Sequence, residues 1–284
     1  MEETMRQERV IVSLTTWKKR INNIPTVLDT ILAQTVKPDR IVLNLAYNES
    51  IPADVQKYID INHIELNYTS DTKVYKKLLP TLEKYPDDVV ISIDDDWLYP
   101  QEMIADFIDI HSKYPNNPVS GNRVIYSGMQ CHCGCASLTK KEYFGSYFDK
   151  IDAEVMKNCP SDDITYTFFA TKAGHPYLTT KHQYFVNLTP FNDVEGYSEK
   201  FGNDTGIETS PLYLTEKFGN IPCFIDSYIP DPFIAEIVGR IYHENTISAC
   251  HTAAQAVRAT KTYKIGRILT QPRRFIKKLW QLKK

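Results

Sequence analysis

The stretch VVISIDDDWLYP, residues 89–100, is the part of this sequence that most strongly indicates a fold. It begins with a mostly apolar, β-branched run typical of a buried strand, and Asp94, Asp95 and Asp96 follow directly. Adjacent carboxylates repel one another unless a cation or positively charged side chains neutralise them. In an extended backbone Asp94 and Asp96 point the same way, which predicts that both bind one hard cation, Mn²⁺ or Mg²⁺. The alternatives are a solvated acidic turn, or carboxylates that cap a helix starting near Gln101.

Alternating strand and helix patterns surround this stretch. The predicted strands before it are RVIVSLTT (9–16), RIVLNLA (40–46) and HIELNYTSD (63–71), and the predicted helices are IPTVLDTILAQT (24–35), PADVQKYID (52–60), VYKKLLPTLEKY (74–85) and QEMIADFIDIHSKY (101–114). Such alternation predicts an α/β fold with a parallel sheet and helices on both faces. Ligands of such sheets bind beyond the carboxyl ends of the strands, where the polar residues of this chain gather.

Composition excludes several classes of protein. A chain of 284 residues with 42% hydrophobic residues is neither disordered nor a small disulfide scaffold. Six cysteines are too few for a disulfide framework and predict reduced thiols in a cytoplasmic protein. The charged amino terminus does not resemble a secretory signal, and no apolar run approaches the ~18 residues that span a bilayer.

Charge is distributed unevenly along the chain. Residues 245–284 contain ten Lys and Arg and no Asp or Glu, whereas the rest contains 23 Lys and Arg against 35 Asp and Glu. The acidic body predicts no binding to nucleic acid. The last stretch, RRFIKKLWQLKK (273–284), has apolar residues at helical spacing among basic ones, which predicts an amphipathic helix on an anionic membrane surface. The alternative is a helix docked on the acidic body.

The chain resembles GT-A glycosyltransferases, which carry a DxD motif. The resemblance rests on the predicted strand that ends in DDD, together with IVSLTTWKKR (11–20), residues 24–46 and DTKVYKKLLPTLEKYP (71–86). The resemblance is to bacterial family 2 enzymes and, more distantly, to exostosin-type domains, and it covers residues 9–174. It implies a nucleotide-diphospho-sugar transferase fold. It also implies one domain over residues 1–240, with a donor half (9–115) and an acceptor half (116–240), followed by a basic helical extension (241–284).

The resemblance further implies roles for individual residues. Asp96 would bind Mn²⁺ or Mg²⁺ that bridges the donor diphosphate, and Asp94 would share this metal or lie near the ribose. The residues expected to bind the donor nucleotide sugar are Thr15, Thr16, Trp17, Arg20, Asp71, Lys76, Lys77, Asp94 and Asp95. The alternative for Trp17 is packing in the interior, and the alternative for Lys76 and Lys77 is a solvated helix face.

The acceptor half contains a second acidic pair, Asp162-Asp163, at the predicted start of a helix. The resemblance implies contact with the acceptor, and in an inverting enzyme one carboxylate is the general base, for which we choose Asp163. The alternative is that both only cap the helix, whose amino terminus would lower their pKa. Two late histidines, His243 and His251, are candidates for a further metal ligand, and Cys131, Cys133 and Cys135 lack the ligand spacing of a zinc site.

These observations predict a metal-dependent glycosyltransferase that moves a sugar from a nucleotide diphosphate to a hydroxyl of a glycan or lipid-linked acceptor in bacterial surface polysaccharide synthesis. We expect a cytoplasmic enzyme, peripheral to the membrane. One alternative is a sugar nucleotidyltransferase, which would be expected to carry a glycine-rich phosphate loop, whereas SLTTWKKR (13–20) contains no glycine. The other is a non-catalytic scaffold that binds glycans or membranes.

Overall fold

The computed structural model describes residues 8–121, 123–126, 129–132, 136–180, 186–187 and 209–221. Apart from Met129, these residues belong to one compact unit. Several sequence-based predictions lie outside the described residues, namely the helix over residues 273–284, His243, His251 and the side chains of Cys131, Cys133 and Cys135.

Most strands join one central sheet. In chain order the strands are β1 (Val10–Thr15), β2 (Arg40–Ala46), β3 (Glu65–Thr69), β4 (Val89–Ile93), β5 (Trp97–Leu98), β6 (Val119–Ser120), β7 (Arg123–Tyr126), β8 (Met129–His132), β9 (Ala136–Thr139), β10 (Leu178–Thr179) and β11 (Val186–Asn187). The central sheet has seven strands in the order β10-β6-β9-β4-β1-β2-β3. Strand β9 runs antiparallel to β4 and β6, and the other pairs are parallel. The prediction of a mostly parallel α/β sheet is confirmed.

Helices flank this sheet. In chain order they are α1 (Ile24–Leu32), α2 (Ala53–Ile61), α3 (Leu79–Lys84), α4 (Met103–Lys113), α5 (Ala153–Asn158), α6 (Asp162–Lys172) and α7 (Ser210–Phe218), with 3₁₀ helices at Ile21–Asn23, Lys73–Lys77 and Lys141–Lys150. No helix in the described part of the chain is both long and apolar enough to cross a membrane. Because the buried faces of α1 and α4 meet strands that are buried along most of their length, they form one hydrophobic core with β1, β2 and β4.

The prediction of one continuous helix over residues 74–85 is wrong, because the structure has two shorter helices there. The 3₁₀ helix Lys73–Lys77 ends before α3, and Pro80 occupies the first turn of α3. A continuous helix would need a hydrogen bond from the missing N–H of this proline, whereas the first turn of a new helix does not. The break turns the segment that carries Lys76 and Lys77 towards the end of β1, where the Ser13 hydroxyl donates to the Lys77 carbonyl (2.5 Å).

Candidate active site

The predicted site residues meet at the carboxyl end of the central sheet. Strands β1 and β4 are parallel neighbours with Ser13 opposite Ser92, so the residues that follow both strands leave the sheet at the same edge. The acidic start of α6 reaches this edge as well, because its carboxylates contact Lys77. Residues far apart in the sequence are thereby brought into one acidic cluster, which we define as Asp94–Asp96 together with Asp162 and Asp163.

The expectation that Asp94–Asp96 continue the strand is wrong. Strand β4 ends at Ile93, and Asp95 and Asp96 lie in a turn. The Tyr99 hydroxyl holds the backbone at this point, since it accepts from the Asp94 N–H (2.9 Å) and donates to the Asp94 carbonyl (3.2 Å). Tyr99 was not selected from the sequence, although its place three residues after the acidic run in DDDWLYP is a signal that could have found it.

The middle carboxylate, Asp95, is bound inside the protein. Its Oδ2 accepts from Thr16 Oγ1 (2.7 Å) and its Oδ1 from Arg20 Nη1 (2.6 Å), while Arg20 Nη2 donates to Asp96 Oδ2 (2.9 Å). Arg20 and Asp95 are buried, and burial raises the pKa of Asp95 although Arg20 and Thr16 act in the opposite direction. Thr16 and Arg20, expected to contact the donor, therefore bind the acidic turn and fix its shape.

Lys76 and Lys77 are both buried, so the alternative of a solvated helix face is wrong for this pair. Lys77 Nζ lies 3.0 Å from Asp94 Oδ1, 3.1 Å from Asp162 Oδ2 and 3.7 Å from Asp163 Oδ1. Although burial lowers the pKa of Lys77, these carboxylates raise it well above its ordinary value. Lys77 is therefore a buried ammonium that joins the two halves of the acidic cluster.

Asp71 follows β3 and shapes the segment that carries the two lysines. Its Oδ1 accepts from the Lys73 backbone N–H (3.2 Å) and from Lys76 Nζ (2.7 Å), and its Oδ2 accepts from Lys73 Nζ (2.8 Å). Burial opposes the ionised form, but these bonds lower the pKa of Asp71. Because 42% of its side chain is exposed, Asp71 still presents a carboxylate to solvent at this edge.

Two further donor candidates follow the end of β1. Thr15 Oγ1 donates to the Asn44 carbonyl (2.7 Å), which ties β1 to β2. Trp17 is partly buried, and Lys19 Nζ lies 5.3 Å from the centroid of its ring. Part of this aromatic side chain thus remains accessible beside the acidic turn.

The second acidic pair occupies the first turn of α6, preceded by Ser161 at the N-cap position. Asp162 is buried against Lys77, whereas the side chain of Asp163 is 21% exposed. Burial and the charge of Asp94 raise the pKa of Asp162, although Lys77 opposes them. The lowered pKa expected from a helix amino terminus is therefore not found for Asp162, because burial outweighs it.

The cluster carries more negative than positive charge. Its five carboxylates contact two buried cations, Arg20 and Lys77. Burial and the charge of Asp94 raise the pKa of Asp96 to about 6. The side chains of Asp94 and Asp96 are 27% and 24% exposed, so both reach the surface of the cluster.

This donor set fits a hard divalent cation. No group of three Asp, Glu, His or Cys side chains arranged to hold a metal occurs within the ranges that the structure describes. Mg²⁺ and similar ions are, however, commonly held by one or two carboxylates together with substrate phosphates and water. Asp94 and Asp96 supply such a pair, with oxygen ligands and excess negative charge.

A buried polar network behind the site was also missed by sequence analysis. Asn44 Nδ2 donates to Ser13 Oγ and to Thr81 Oγ1, both at 3.0 Å, and Ser13 Oγ lies 2.6 Å from Thr81 Oγ1. Asn44 Oδ1 accepts from Asn67 Nδ2 (2.7 Å). The signal was a polar residue between apolar neighbours in each strand, Ser13 in VIVSLT and Asn44 in RIVLNLA.

Comparison of the sequence with protein-family models gives no match, and no curated protein matches. Among solved structures, a mannosyltransferase from Pyrobaculum calidifontis in complex with GDP-Man and Mn²⁺ is similar over 92% of this chain and 83% of its own, with 14% identity and a TM-score of 0.51. The chain has the GT-A fold. At 14% identity the likeness extends to the fold alone.

Two other solved structures are less similar to this chain. They are a 4-diphosphocytidyl-2C-methyl-D-erythritol synthase (TM-score 0.46, 12% identity, 66% of this chain and 96% of that one) and a glucosyl-3-phosphoglycerate synthase from Mycobacterium tuberculosis (TM-score 0.31, 12% identity, 40% of this chain and 43% of that one).

Proposed function

We propose that this protein is a metal-dependent glycosyltransferase that moves a sugar from a nucleotide diphosphate to an acceptor hydroxyl. The observation that carries the proposal is the contact of one buried ammonium, Lys77, with both Asp94 and the Asp162-Asp163 pair. It brings a candidate cation site and a candidate base together at the carboxyl edge of a GT-A sheet, which is where such sheets bind ligands.

Asp94 and Asp96 would hold Mn²⁺ or Mg²⁺, since they are the two partly exposed carboxylates of the turn. The cation supplies a Lewis acid that stabilises the negative charge on the departing diphosphate. Asp95 supports this site from inside through Thr16 and Arg20, which hold the turn in shape. Trp17 and Asp71, both partly exposed at the same edge, are the residues proposed to contact the nucleoside.

On the acceptor side, Asp163 is the proposed general base. A base must reach the acceptor hydroxyl and take its proton, and Asp163 is the more exposed carboxylate of its pair. Asp162 would hold Lys77 and so keep the start of α6 close to the acidic turn.

For the acceptor we propose a glycan or a lipid-linked sugar, used in bacterial surface polysaccharide synthesis. The support is the sequence resemblance to bacterial family 2 enzymes and the basic stretch over residues 273–284, which suits an anionic membrane surface. A peripheral position at the membrane would bring the enzyme close to lipid-linked acceptors.

Transfer from a panel of nucleotide sugars, measured with Mn²⁺ and with EDTA, tests the function. We expect release of the nucleoside diphosphate with Mn²⁺ and none with EDTA.

Asp96→Asn should lower the rate at least about a hundredfold, because a ligand that stabilises developing charge is lost. Its melting temperature should not fall, since burial and Asp94 already oppose the charge of Asp96.

The matched control is Asp109→Asn, which makes the same change on an exposed side chain of α4 and should leave the rate unchanged. Release of pyrophosphate from a nucleoside triphosphate and a sugar phosphate would identify a nucleotidyltransferase instead. An absence of turnover with every donor, with or without Mn²⁺, would identify a non-catalytic scaffold.

A further inference from the structure

The ammonium group of Lys77 forms ion pairs with carboxylates of the protein itself. An ammonium group has three N–H bonds, and Lys77 Nζ faces three carboxylates, at 3.0 Å (Asp94), 3.1 Å (Asp162) and 3.7 Å (Asp163). Its side chain is only 7% exposed. A role as a direct ligand of the donor diphosphate, which the sequence resemblance implies, would require the hydrogen bond to Asp94 or one of the ion pairs with Asp162 and Asp163 to be given up.

The carboxylate partners of Lys77 differ in their exposure to solvent. The Lys77 backbone is fixed from behind, because its carbonyl accepts from the Ser13 hydroxyl (2.5 Å), which belongs to the network of Asn44 and Thr81. Asp162 is 6% exposed and buried beside the ammonium, whereas Asp94 is 27% exposed. Asp94 and Asp163, which is 21% exposed, are therefore the partners that a cation arriving from solvent can reach, and of these two Asp94 belongs to the same acidic run as Asp96.

We propose that Lys77 is a positioning residue whose ammonium group neutralises Asp94 when no divalent cation is bound. When a divalent cation binds, Asp94 would contact that cation in place of the ammonium, and Lys77 would keep its ion pair with Asp162. This inference rests on the proposed cation site. In this role Lys77 neutralises carboxylates of the protein and does not bind the donor. In the absence of a divalent cation the ammonium keeps Asp94 and the start of α6 close together, so the acidic cluster is held in shape before the donor binds.

The exchange implies competition between the ammonium and the divalent cation. Both are attracted to Asp94, and they repel each other across a partly buried site, where charges interact more strongly than in water. Removing the charge of Lys77 should therefore tighten the binding of Mn²⁺. If Lys77 were a ligand of the donor diphosphate, its removal would in addition weaken nucleotide binding.

The test is titration of the full-length protein with Mn²⁺ alone, followed by the paramagnetic resonance signal of free Mn²⁺, and then titration with a nucleoside diphosphate. We expect Lys77→Met to bind Mn²⁺ about tenfold more tightly than the unsubstituted protein, and Lys77→Arg, which keeps the charge, to stay within about threefold of it. Mn²⁺ should also raise the melting temperature of Lys77→Met by more than that of the unsubstituted protein, because it replaces a missing counter-charge.

Lys140→Met is the matched control, since Lys140 is also buried and pairs with two carboxylates, Glu8 (2.7 Å) and Glu142 (2.5 Å), outside the acidic cluster. Its Mn²⁺ affinity should not change. If Lys77→Met does not fold, the double variant Lys77→Met with Asp162→Asn removes one buried negative charge together with the positive one, and it should still bind Mn²⁺ more tightly.

Unchanged or weaker Mn²⁺ binding by Lys77→Met and by the double variant, or a tenfold loss of nucleoside diphosphate affinity in Lys77→Met, would overturn the assignment. A protein that binds Mn²⁺ in the expected way but transfers no sugar would contradict the proposed function and leave the role of Lys77 standing. A protein that binds no Mn²⁺ even with a nucleoside diphosphate present would overturn both.

Discussion

Asp162 and Asp163 are neighbours in the first turn of α6, yet their surroundings differ. Asp162 is buried against Lys77, and Asp163 is partly exposed and 0.6 Å farther from the ammonium. We therefore expect Asp163→Asn to lower the rate of transfer by about two to four orders of magnitude, the range of a positioned general base, with donor affinity little changed. Steady-state kinetics with varied donor and acceptor measure both quantities.

The comparison variant is Asp162→Asn, which should affect stability more than Asp163→Asn does, because Lys77 loses a charged partner buried beside it. Full activity of Asp163→Asn together with loss of activity in Asp162→Asn would assign the base to Asp162. Full activity of both variants would point to a retaining mechanism, in which no general base is needed for the acceptor in this position.

The sequence predicted the positions of single residues at the sheet edge better than it predicted which side chains those residues contact. Polar residues at strand ends predicted which side chains gather at the sheet edge, and Asp94–Asp96 and Asp71 do lie there. Whether a basic side chain faces a ligand or a neighbouring carboxylate depends on charges that only the folded chain brings together. For this reason the partners of Arg20 and Lys77 could not be predicted.

Between elements, the polar network of Asn44 joins strands β1, β2 and β3 to α3. Asn44 donates to Ser13 and Thr81 and accepts from Asn67. Asn44→Ala should lower the free energy of unfolding by about 3 kcal/mol, because several buried polar groups lose their partner. Chemical unfolding measures this, and Asn158→Ala, on an exposed position of α5, should change stability by no more than about 0.5 kcal/mol. A loss below about 1 kcal/mol at Asn44 would show that the network is not a stabilising unit.

The edge strand β3 is tied to α3 through Glu65. This side chain lies 2.8 Å from Lys84 Nζ and accepts from the Tyr85 hydroxyl (2.6 Å). Burial opposes ionisation, but Lys84, Tyr85 and Arg40 together lower the pKa of Glu65. A lowered pKa in the folded state stabilises the protein above the ordinary pKa of glutamate, and this stabilisation is lost as the pH falls through the folded-state value.

Glu65→Gln should accordingly lower the free energy of unfolding by about 1 kcal/mol at pH 7. The difference from the unsubstituted protein should be smaller at about pH 3, below the ordinary pKa of glutamate, because the stabilisation is lost as the pH falls towards the lowered pKa that Glu65 has in the folded protein. Urea unfolding at the two pH values measures this, with Glu83→Gln on an exposed position of α3 as the control. An equal loss at both pH values would mean that packing, and not charge, explains the effect.

The elements themselves followed from local pattern in the first half of the chain. Strand β2 has the predicted bounds, and β1 is shorter than predicted by one residue at each end. Strand β9 was not predicted, because ASLT in a glycine- and cysteine-rich segment has no distinctive periodicity, and its antiparallel place between β4 and β6 arises from long-range pairing. The helix predicted to start at Asp162-Asp163 is confirmed as α6, and residues on nearly all its sides are buried.

Over the whole molecule, the separation of charge remains the strongest feature that the sequence alone supplies. Residues 273–284 combine five apolar and six basic side chains, and the chain before residue 245 has twelve more acidic than basic residues. Deleting residues 273–284 should leave hydrolysis of the donor in solution near normal, because the residues proposed to bind the donor all lie between residues 15 and 96.

The same deletion should release the protein from vesicles that contain anionic lipid and slow transfer to a lipid-linked acceptor. The expected scale is about 1 kcal/mol for each basic residue near such a surface, and it should weaken as salt screens the charges. Trp280→Ala should remove part of the apolar contribution, which salt does not screen. Co-sedimentation with vesicles at low and high salt measures the electrostatic and the apolar contributions to binding. Equal binding of the full-length and truncated proteins at low salt would mean that this stretch does not anchor the protein, and would favour a helix docked on the acidic body.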